Sequence, residues 1–391
     1  MIPYPLRRIT RKIKSCFRRT RHERVIDYFP SGTRPKGHVL VSYIAESLLL
    51  GENDKRFLRH SNAWESAEIA RLFNKHGYAV DAISWDDTAF IPEREYVTVF
   101  DIYTNLKRCS GPGTHKFFHA TGSDSSFCNG AELKRISDLK MRRGAVVVPR
   151  RSVKAADVEL SYGNLMAADT ITLIGNGVTA ATFPDNLQHK LNRVVPTGSH
   201  LSATRDSRKI TLRKEFVWFN GTGAVHKGLD LTLEVFARNP GLVLHVVGPY
   251  LKESDFVEAY KHELTKCPNI ISHGFLSPSS RKFQDITRHA VGFVSPSCSE
   301  GISTSAITCM QYGMVPILSV NSGIDLTGEM GYLLKSCAIE EIEAVVLDVI
   351  DRPEREIREM IACSQEYALK RFSREEFSRI MENHVVRALP S

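Results

Sequence analysis

At 391 residues, with 42% apolar and 25% charged residues, the chain has the make-up of a folded globular protein and the length for two cores rather than one. No stretch approaches the roughly 18 consecutive apolar residues that a membrane-spanning helix needs, and no early apolar segment has the form of a secretory signal. The formal net charge of +8 belongs to residues 1–24, which hold nine of the 52 basic and one of the 44 acidic residues; the 43 of each sign that remain exclude a broad nucleic-acid surface.

Residues 1–30 are expected to form a basic arm. Leu6, Ile9, Ile13 and Phe17 recur at spacings of three and four, the stripe of an amphipathic helix, with Arg7, Arg8, Arg11, Lys12, Lys14, Arg18 and Arg19 mostly around the rest. Such a helix suits the headgroup layer of an anionic membrane, at about 1 kcal/mol per basic residue near the surface. A solvated basic arm and an Arg-rich transit peptide are the other readings of the same residues. The eight cysteines are scattered without a Cys-x-x-Cys pair, which points away from a zinc site or disulfide framework and toward a reducing, cytoplasmic setting. The expected location is therefore cytoplasmic, peripheral on the inner face of the cell membrane.

After a Gly/Pro-containing linker, residues 31–200 read as a first domain. His38–Ile44 is an apolar run suited to a buried parallel strand, residues 63–76 a helix stopped by Gly77, and 78–83 the next strand. Strand-like runs follow at Val97–Tyr103, Lys116–Ala120, Ala145–Pro149 and Thr170–Gly175, with a helical pattern at Asn129–Arg142. A polar segment, Thr197–Arg213, then separates the halves, and residues 201–370 repeat the alternation. Strands are expected at 215–219, 242–247, 269–272, 291–295 and 315–320. Helices are expected at 229–237, 254–265, 280–289 and 303–312, then 339–350 and 354–383. Alternation of this kind predicts an α/β protein of two doubly wound, Rossmann-like domains facing a cleft, with a helical tail, residues 371–391, able to pack back on the first domain.

Two clusters in the second half carry chemistry. Asn220-Gly221-Thr222-Gly223-Ala224-Val225-His226-Lys227-Gly228 joins a predicted strand to a predicted helix. Its glycines let a turn approach a ligand closely, and Lys227 adds a positive charge at the helix mouth. A surface turn with a solvated Lys is the plainer reading. Ser295–Ile307 likewise follows a strand and opens a helix. Ser303 and Thr304 are good N-caps, the first-turn N–H groups form an anion site, and Glu300 is placed to accept hydrogen bonds from sugar or ribose hydroxyls, or merely to favour the helix dipole. Both clusters fall at the carboxyl ends of strands, where α/β sheets bind ligands.

The stretch from Asn220 to about Asp325 resembles the donor-binding domain of GT-B glycosyltransferases, in particular retaining family 4, the glycosyl transferases group 1. The features that carry the likeness are Lys227-Gly228 opening an amphipathic helix, a strand ending at Gly248, Asn269–Gly274, the Pro-Ser-x-x-Glu-Gly loop at 296–301, and Gly313-Met314-Val315-Pro316. In the first half, Ala120–Ser123 and Ala131–Arg135 are similar to one bacterial subgroup more loosely. The resemblance implies that Lys227 neutralises a donor diphosphate, that Gly221, Thr222, Gly223 and His226 line it, and that the N–H groups near Ile302, Ser303 and Thr304 cradle it. Ser299, Glu300 and Gly301 would hold the donor sugar. It implies catalytic roles for Lys227 and Glu300, and for a cleft histidine that His119 matches, although His119 also fits a core position. Glu46, Glu65 and Asp124 are further acids that the pattern places near the cleft.

The sequence departs from that family at two points. Thr222 stands where an Arg is usual, with His226 as a partial substitute, and Thr308 stands where a second Glu is usual. With no Asp-x-Asp pair, no metal or other cofactor is expected beyond the nucleotide-diphosphate sugar as substrate. The expected activity is sugar transfer with retention to a glycan or lipid-linked glycan acceptor, with no nucleic-acid partner. Alternatives are a nucleotide-sugar epimerase or hydrolase on the same fold, or a non-catalytic, membrane-associated partner that binds a sugar nucleotide.

Overall fold

The computed structural model describes residues 23–51, 54–58, 61–198 and 212–390. Most of the basic arm and of the polar segment between the halves lie outside these.

The first sheet contains β1 (Val25–Tyr28), β2 (His38–Tyr43), β3 (Ala79–Ser84), β4 (Thr98–Asp101), β5 (His115–Ala120), β6 (Thr170–Ile174) and β7 (Leu191–Val194), in the order β1-β3-β2-β4-β5-β6-β7. All its pairings are parallel except β1 against β3. Residues 25–28, which the charge pattern assigned to the arm, are thus an edge strand. The second sheet, β8 (Arg213–Phe219), β9 (Val243–Val247), β10 (Ile270–Gly274), β11 (Ala290–Ser295), β12 (Val315–Ser319) and β13 (Tyr332–Leu334), is wholly parallel in the order β10-β9-β8-β11-β12-β13. Helices on both faces explain why β2, β3 and β11 are buried almost from end to end and mainly apolar.

Helices of eight or more residues are α1 (Ser61–Lys75), α2 (Ser125–Arg143), α3 (Ala155–Ala167), α4 (Leu229–Arg238), α5 (Thr304–Gln311), α6 (Ile339–Asp351), α7 (Glu354–Arg371) and α8 (Arg374–Arg387). Three expectations need correction. The apolar run 145–149 is an extended loop rather than a strand. Its polar backbone finds side chains, Val148 N–H donating to Asp255 (2.9 Å) and Arg150 N–H to Glu132 (2.9 Å), while Val147 is buried in the second core. The helix expected over 254–265 breaks at Tyr260. The one expected over 354–383 is two, because Ser373 caps α8 by accepting from Glu376 N–H at 3.1 Å.

Two segments cross between the halves. From the first domain, α2 and the loop after it lie on the second: Leu139 and Val147 join that core, Arg142 pairs with Asp230 (2.8 Å) and Arg143 with Glu263 (2.6 Å). From the other end of the chain, α8 returns to α1. There Phe377 meets the Trp64 ring edge-on at 5.9 Å, and Thr98 Oγ1 donates to the Ala388 carbonyl at 2.6 Å.

Candidate active site

The carboxyl ends of the two sheets face each other across a cleft of about 770 Å³. Its lower wall is the turn after β8 and the loop between β11 and α5. Tyr43, Thr121 and Ile174, at or just beyond the ends of β2, β5 and β6, form the opposite wall.

The turn after β8 is built around Gly228. Its φ of +71° is costly for any other residue, and a Cβ there would stand 2.6 Å from the Pro296 carbonyl oxygen. Trp218 Nε1–H donates to the Lys227 carbonyl at 3.1 Å, which aims the lysine side chain into the cleft. Gly221 and Thr222 also line the cleft. Gly223 corrects the expectation that this turn offers its N–H groups to a phosphate: Gly223 N–H donates to Glu253 at 2.7 Å and Ala224 N–H to the same buried carboxylate at 3.0 Å.

His226 also needs correction as a substitute phosphate cation. It is buried, and its Nε2 lies 2.7 Å from the Ser299 carbonyl, an acceptor that requires Nε2 to carry the proton. Burial first, with Lys227 adding, pushes its pKa down to about 4, so the ring is neutral at physiological pH. Its bare Nδ1 lies 3.9 Å from the Glu132 carboxylate.

Lys227 Nζ lies 2.5 Å from Glu300 Oε1, and each side chain is only 11% exposed. Burial alone would raise the Glu300 pKa. The charge and hydrogen bond of Lys227, with Arg151 adding, outweigh it and hold the carboxyl below its ordinary range. The loop carrying Glu300 is pinned on both sides. Ser319 Oγ donates to the Ser297 carbonyl (2.6 Å), and across the cleft Ser123 Oγ donates to the Glu300 carbonyl (2.6 Å) and Thr179 Oγ1 to that of Gly301 (3.0 Å). Gly301 has to be glycine, since a Cβ would fall 2.6 Å from the Ile174 oxygen and 2.8 Å from the Thr121 oxygen.

Ser303 caps α5, its Oγ accepting from Ala306 N–H at 3.3 Å. The next two N–H groups, of Thr304 and Ser305, have no protein acceptor among the described residues and open on the cleft, as helix-start donors do for an anion. Ile302 lines the cleft beside them, and Thr308 lies one turn further on with its hydroxyl donating to the Thr304 carbonyl at 2.9 Å. Ser299 and His226 line a smaller cavity of about 280 Å³ behind Glu300.

His119, expected as a cleft histidine, is a core residue. It is fully buried behind Tyr43 and against Phe100, its Nδ1 hydrogen-bonded to Thr172 Oγ1 at 2.7 Å. Burial, with a smaller push from His384, lowers its pKa to about 3, so it is a neutral packing residue rather than a catalytic one. Of the acids, Glu46 is exposed away from the cleft and Asp124 caps α2 beside the smaller cavity. Glu65 does line the cleft, buried, accepting from Thr197 N–H (2.6 Å) and Oγ1 (3.0 Å), its pKa pushed up to about 7 by burial. Sequence reasoning missed Arg151, which lines both cavities; its signal lay at the end of the run misread as a strand. Among the described residues no group of three His, Cys, Asp or Glu side chains is arranged to hold a metal ion.

Residues 202–364, which contain both clusters, match the family model "Glycosyl transferases group 1". The chain carries a glycosyltransferase group 1 domain. The architecture around that domain is GT-B, shared at low identity with solved glycosyltransferases. Sucrose-phosphate synthase from Thermosynechococcus elongatus superposes with a TM-score of 0.60 at 11% identity, over 90% of this chain and 98% of that one. WaaG, a glycosyltransferase involved in lipopolysaccharide biosynthesis, gives 0.55 at 12%, over 91% and 100%. A TarM variant from S. aureus, solved with fondaparinux, α-GlcNAc-glycerol and UDP, gives 0.54 at 11%, over 74% of this chain. The chain spans 55% of the length of TarM. No curated protein matches the sequence.

Proposed function

We propose that this chain transfers a sugar from a nucleoside-diphosphate donor to a glycan or lipid-linked acceptor, with retention at the anomeric carbon and without a metal ion. The observation that carries the reading is the Lys227–Glu300 pair beside two N–H groups of α5 that no described residue accepts, on the wall of the interdomain cleft that the glycosyltransferase group 1 domain supplies. The donor phosphates would lie on the Thr304 and Ser305 N–H groups, with Lys227 balancing charge as the bond from sugar to diphosphate breaks. Glu300 would accept from donor hydroxyls, and the acceptor would approach from the Tyr43 and Glu65 wall.

UDP in the TarM structure supports a diphosphate donor. The lipopolysaccharide role of WaaG supports an acceptor at a cell surface, and a peripheral position at the inner membrane face would follow from the arm at residues 1–24. No helix among the described residues is long and apolar enough to cross a membrane.

The decisive experiment is a thermal-shift panel of UDP, GDP, ADP, dTDP and their sugar conjugates on wild type and Lys227→Ala, followed by product analysis with an acceptor. Saturation at about 100 times Kd adds about 2.7 kcal/mol, a shift of several degrees. A shift with one base that the variant loses supports the reading; the absence of any shift refutes it. Thr222 and Thr308 favour a second reading, a sugar-nucleotide-binding partner without turnover, which would show the shift and form no product.

A further inference from the structure

The diphosphate site as the C-terminal domain builds it is short of positive charge. Lys227 is already paired with Glu300 at 2.5 Å, so the two together contribute no net charge, and His226 is neutral and turned toward the Ser299 carbonyl. Thr222, on the exposed part of the Gly221–Gly223 turn, adds none. A nucleoside diphosphate brings at least two negative charges into this space.

Three cations line the cleft among the described residues: Lys227, Lys252 and Arg151. Arg151 comes from the opposite domain, and its position is the more constrained of the two free ones. Its side-chain stem lies over the turn, with Cγ 2.9 Å from where a Cβ on Gly223 would be, so the glycine leaves room for the arginine. The guanidinium is exposed and, among the described residues, has no carboxylate within ion-pair distance. Its backbone, in contrast, is held firmly. The Glu132 carboxylate, 1% exposed, accepts from the N–H groups of Arg150 (2.9 Å), Arg151 (3.0 Å) and Ser152 (2.6 Å) and from Ser152 Oγ (2.6 Å). Arg150 also pairs with Asp255 of the C-terminal domain, and Asn129 ties down Val153 N–H at 2.8 Å. A rigid turn presenting one free guanidinium to two cavities is the arrangement expected of an anion-binding arginine.

The geometry points to Arg151, carried across from the N-terminal domain on a turn that Glu132 fixes, as the second cation of the donor diphosphate site, doing from one wall of the cleft what a cation at Thr222 would do from the other. This rests on the nucleoside-diphosphate reading above. It assigns Glu132 as a positioning residue, and it makes donor affinity depend on contact between the two domains.

The test is isothermal titration of the full chain with UDP, GDP and ADP and with UMP, GMP and AMP. Arg151→Ala is expected to weaken the diphosphate that wild type binds by about tenfold or more, and the matching monophosphate by less than about threefold. Thr222→Arg placed in the Arg151→Ala background should recover most of the loss, Arg151→Lys should keep part of the affinity, and Glu132→Gln should reproduce part of the defect. Lys252→Ala is the control and should stay within about threefold of wild type. If Lys227→Ala loses diphosphate binding while Arg151→Ala does not, this proposal falls and the donor-site reading stands. Equal weakening of mono- and diphosphate by Arg151→Ala, or a loss that Thr222→Arg fails to recover, also overturns it. If wild type binds none of the nucleotides, both readings fall together.

Discussion

Replacing Lys227 by Ala tests the pair at the centre of the site independently of any ligand. At 2.5 Å and an effective dielectric constant of about 20, the gross attraction between Lys227 and Glu300 is about 7 kcal/mol. Desolvation of two side chains that are each 11% exposed consumes most of this. What the variant loses is set by the carboxylate left behind. Stranding a fully buried partner costs about 3–5 kcal/mol, and water entering the cleft brings the expectation here to about 2–3 kcal/mol. Urea denaturation at pH 7.5 measures it. Adding Glu300→Gln to the variant should restore at least half of the stability, because the stranded charge is gone, while donor binding stays lost. The sign with pH is also fixed. The folded-state pKa of Glu300 is lowered, so the pair's contribution is present above the ordinary glutamate value of about 4.3 and is lost as pH falls through the folded value. Wild type and variant should therefore converge only as pH falls through that lowered folded-state value. A Lys227→Ala protein within about 0.5 kcal/mol of wild type at pH 7.5, or no recovery on adding Glu300→Gln, refutes the account.

Gly228→Ala combines a φ of +71° with a Cβ 2.5 Å from Pro296 Cγ, and is expected to cost about 2–5 kcal/mol by denaturant titration. Glu65 has its folded-state pKa raised to about 7, so its burial costs stability as pH rises from about 4.3 toward 7. Glu65→Gln should match wild type near pH 4.5 and exceed it at pH 8 by up to about 3 kcal/mol, which a pH series of melting curves would show. Removing residues 1–24 should abolish co-sedimentation with anionic vesicles at low salt; unchanged pelleting would leave the arm without a membrane role.

The doubly wound pattern was legible because a strand covered on both faces needs a continuous apolar stretch, and β2 (Val39–Val41), β8 (Phe216–Phe219) and β11 (Ala290–Val294) each have one. The short edge strands β1, β7 and β13 were not, since half-exposed strands of three or four residues carry no such run. The loop 145–149 misled for a related reason. Its valines cover the other domain, and their N–H partners are carboxylates distant in sequence, so a strand-like composition arose without a neighbouring strand. At the site, Lys227, Glu300 and Ser303 were legible from local spacing, because one turn and one loop place them. His119 failed because the end of a strand does not say whether a side chain faces the cleft or the core. Arg151 was silent because what makes it functional, Glu132 beneath it and Gly223 beside it, lies 19 and 72 residues away in the chain.

The return of α8 to α1 also bears on the order in which the chain can be completed during synthesis. Trp64 of α1 is covered by Phe377 and by the Arg374 guanidinium, 4.7 Å above its ring, and Met381 and Val385 fill the same cluster. Domains ordinarily fold as they emerge from the ribosome, the first one first. Here the apolar face of α1 is covered by α8, which follows the whole second domain in the sequence, so the first domain is begun before the second and completed after it.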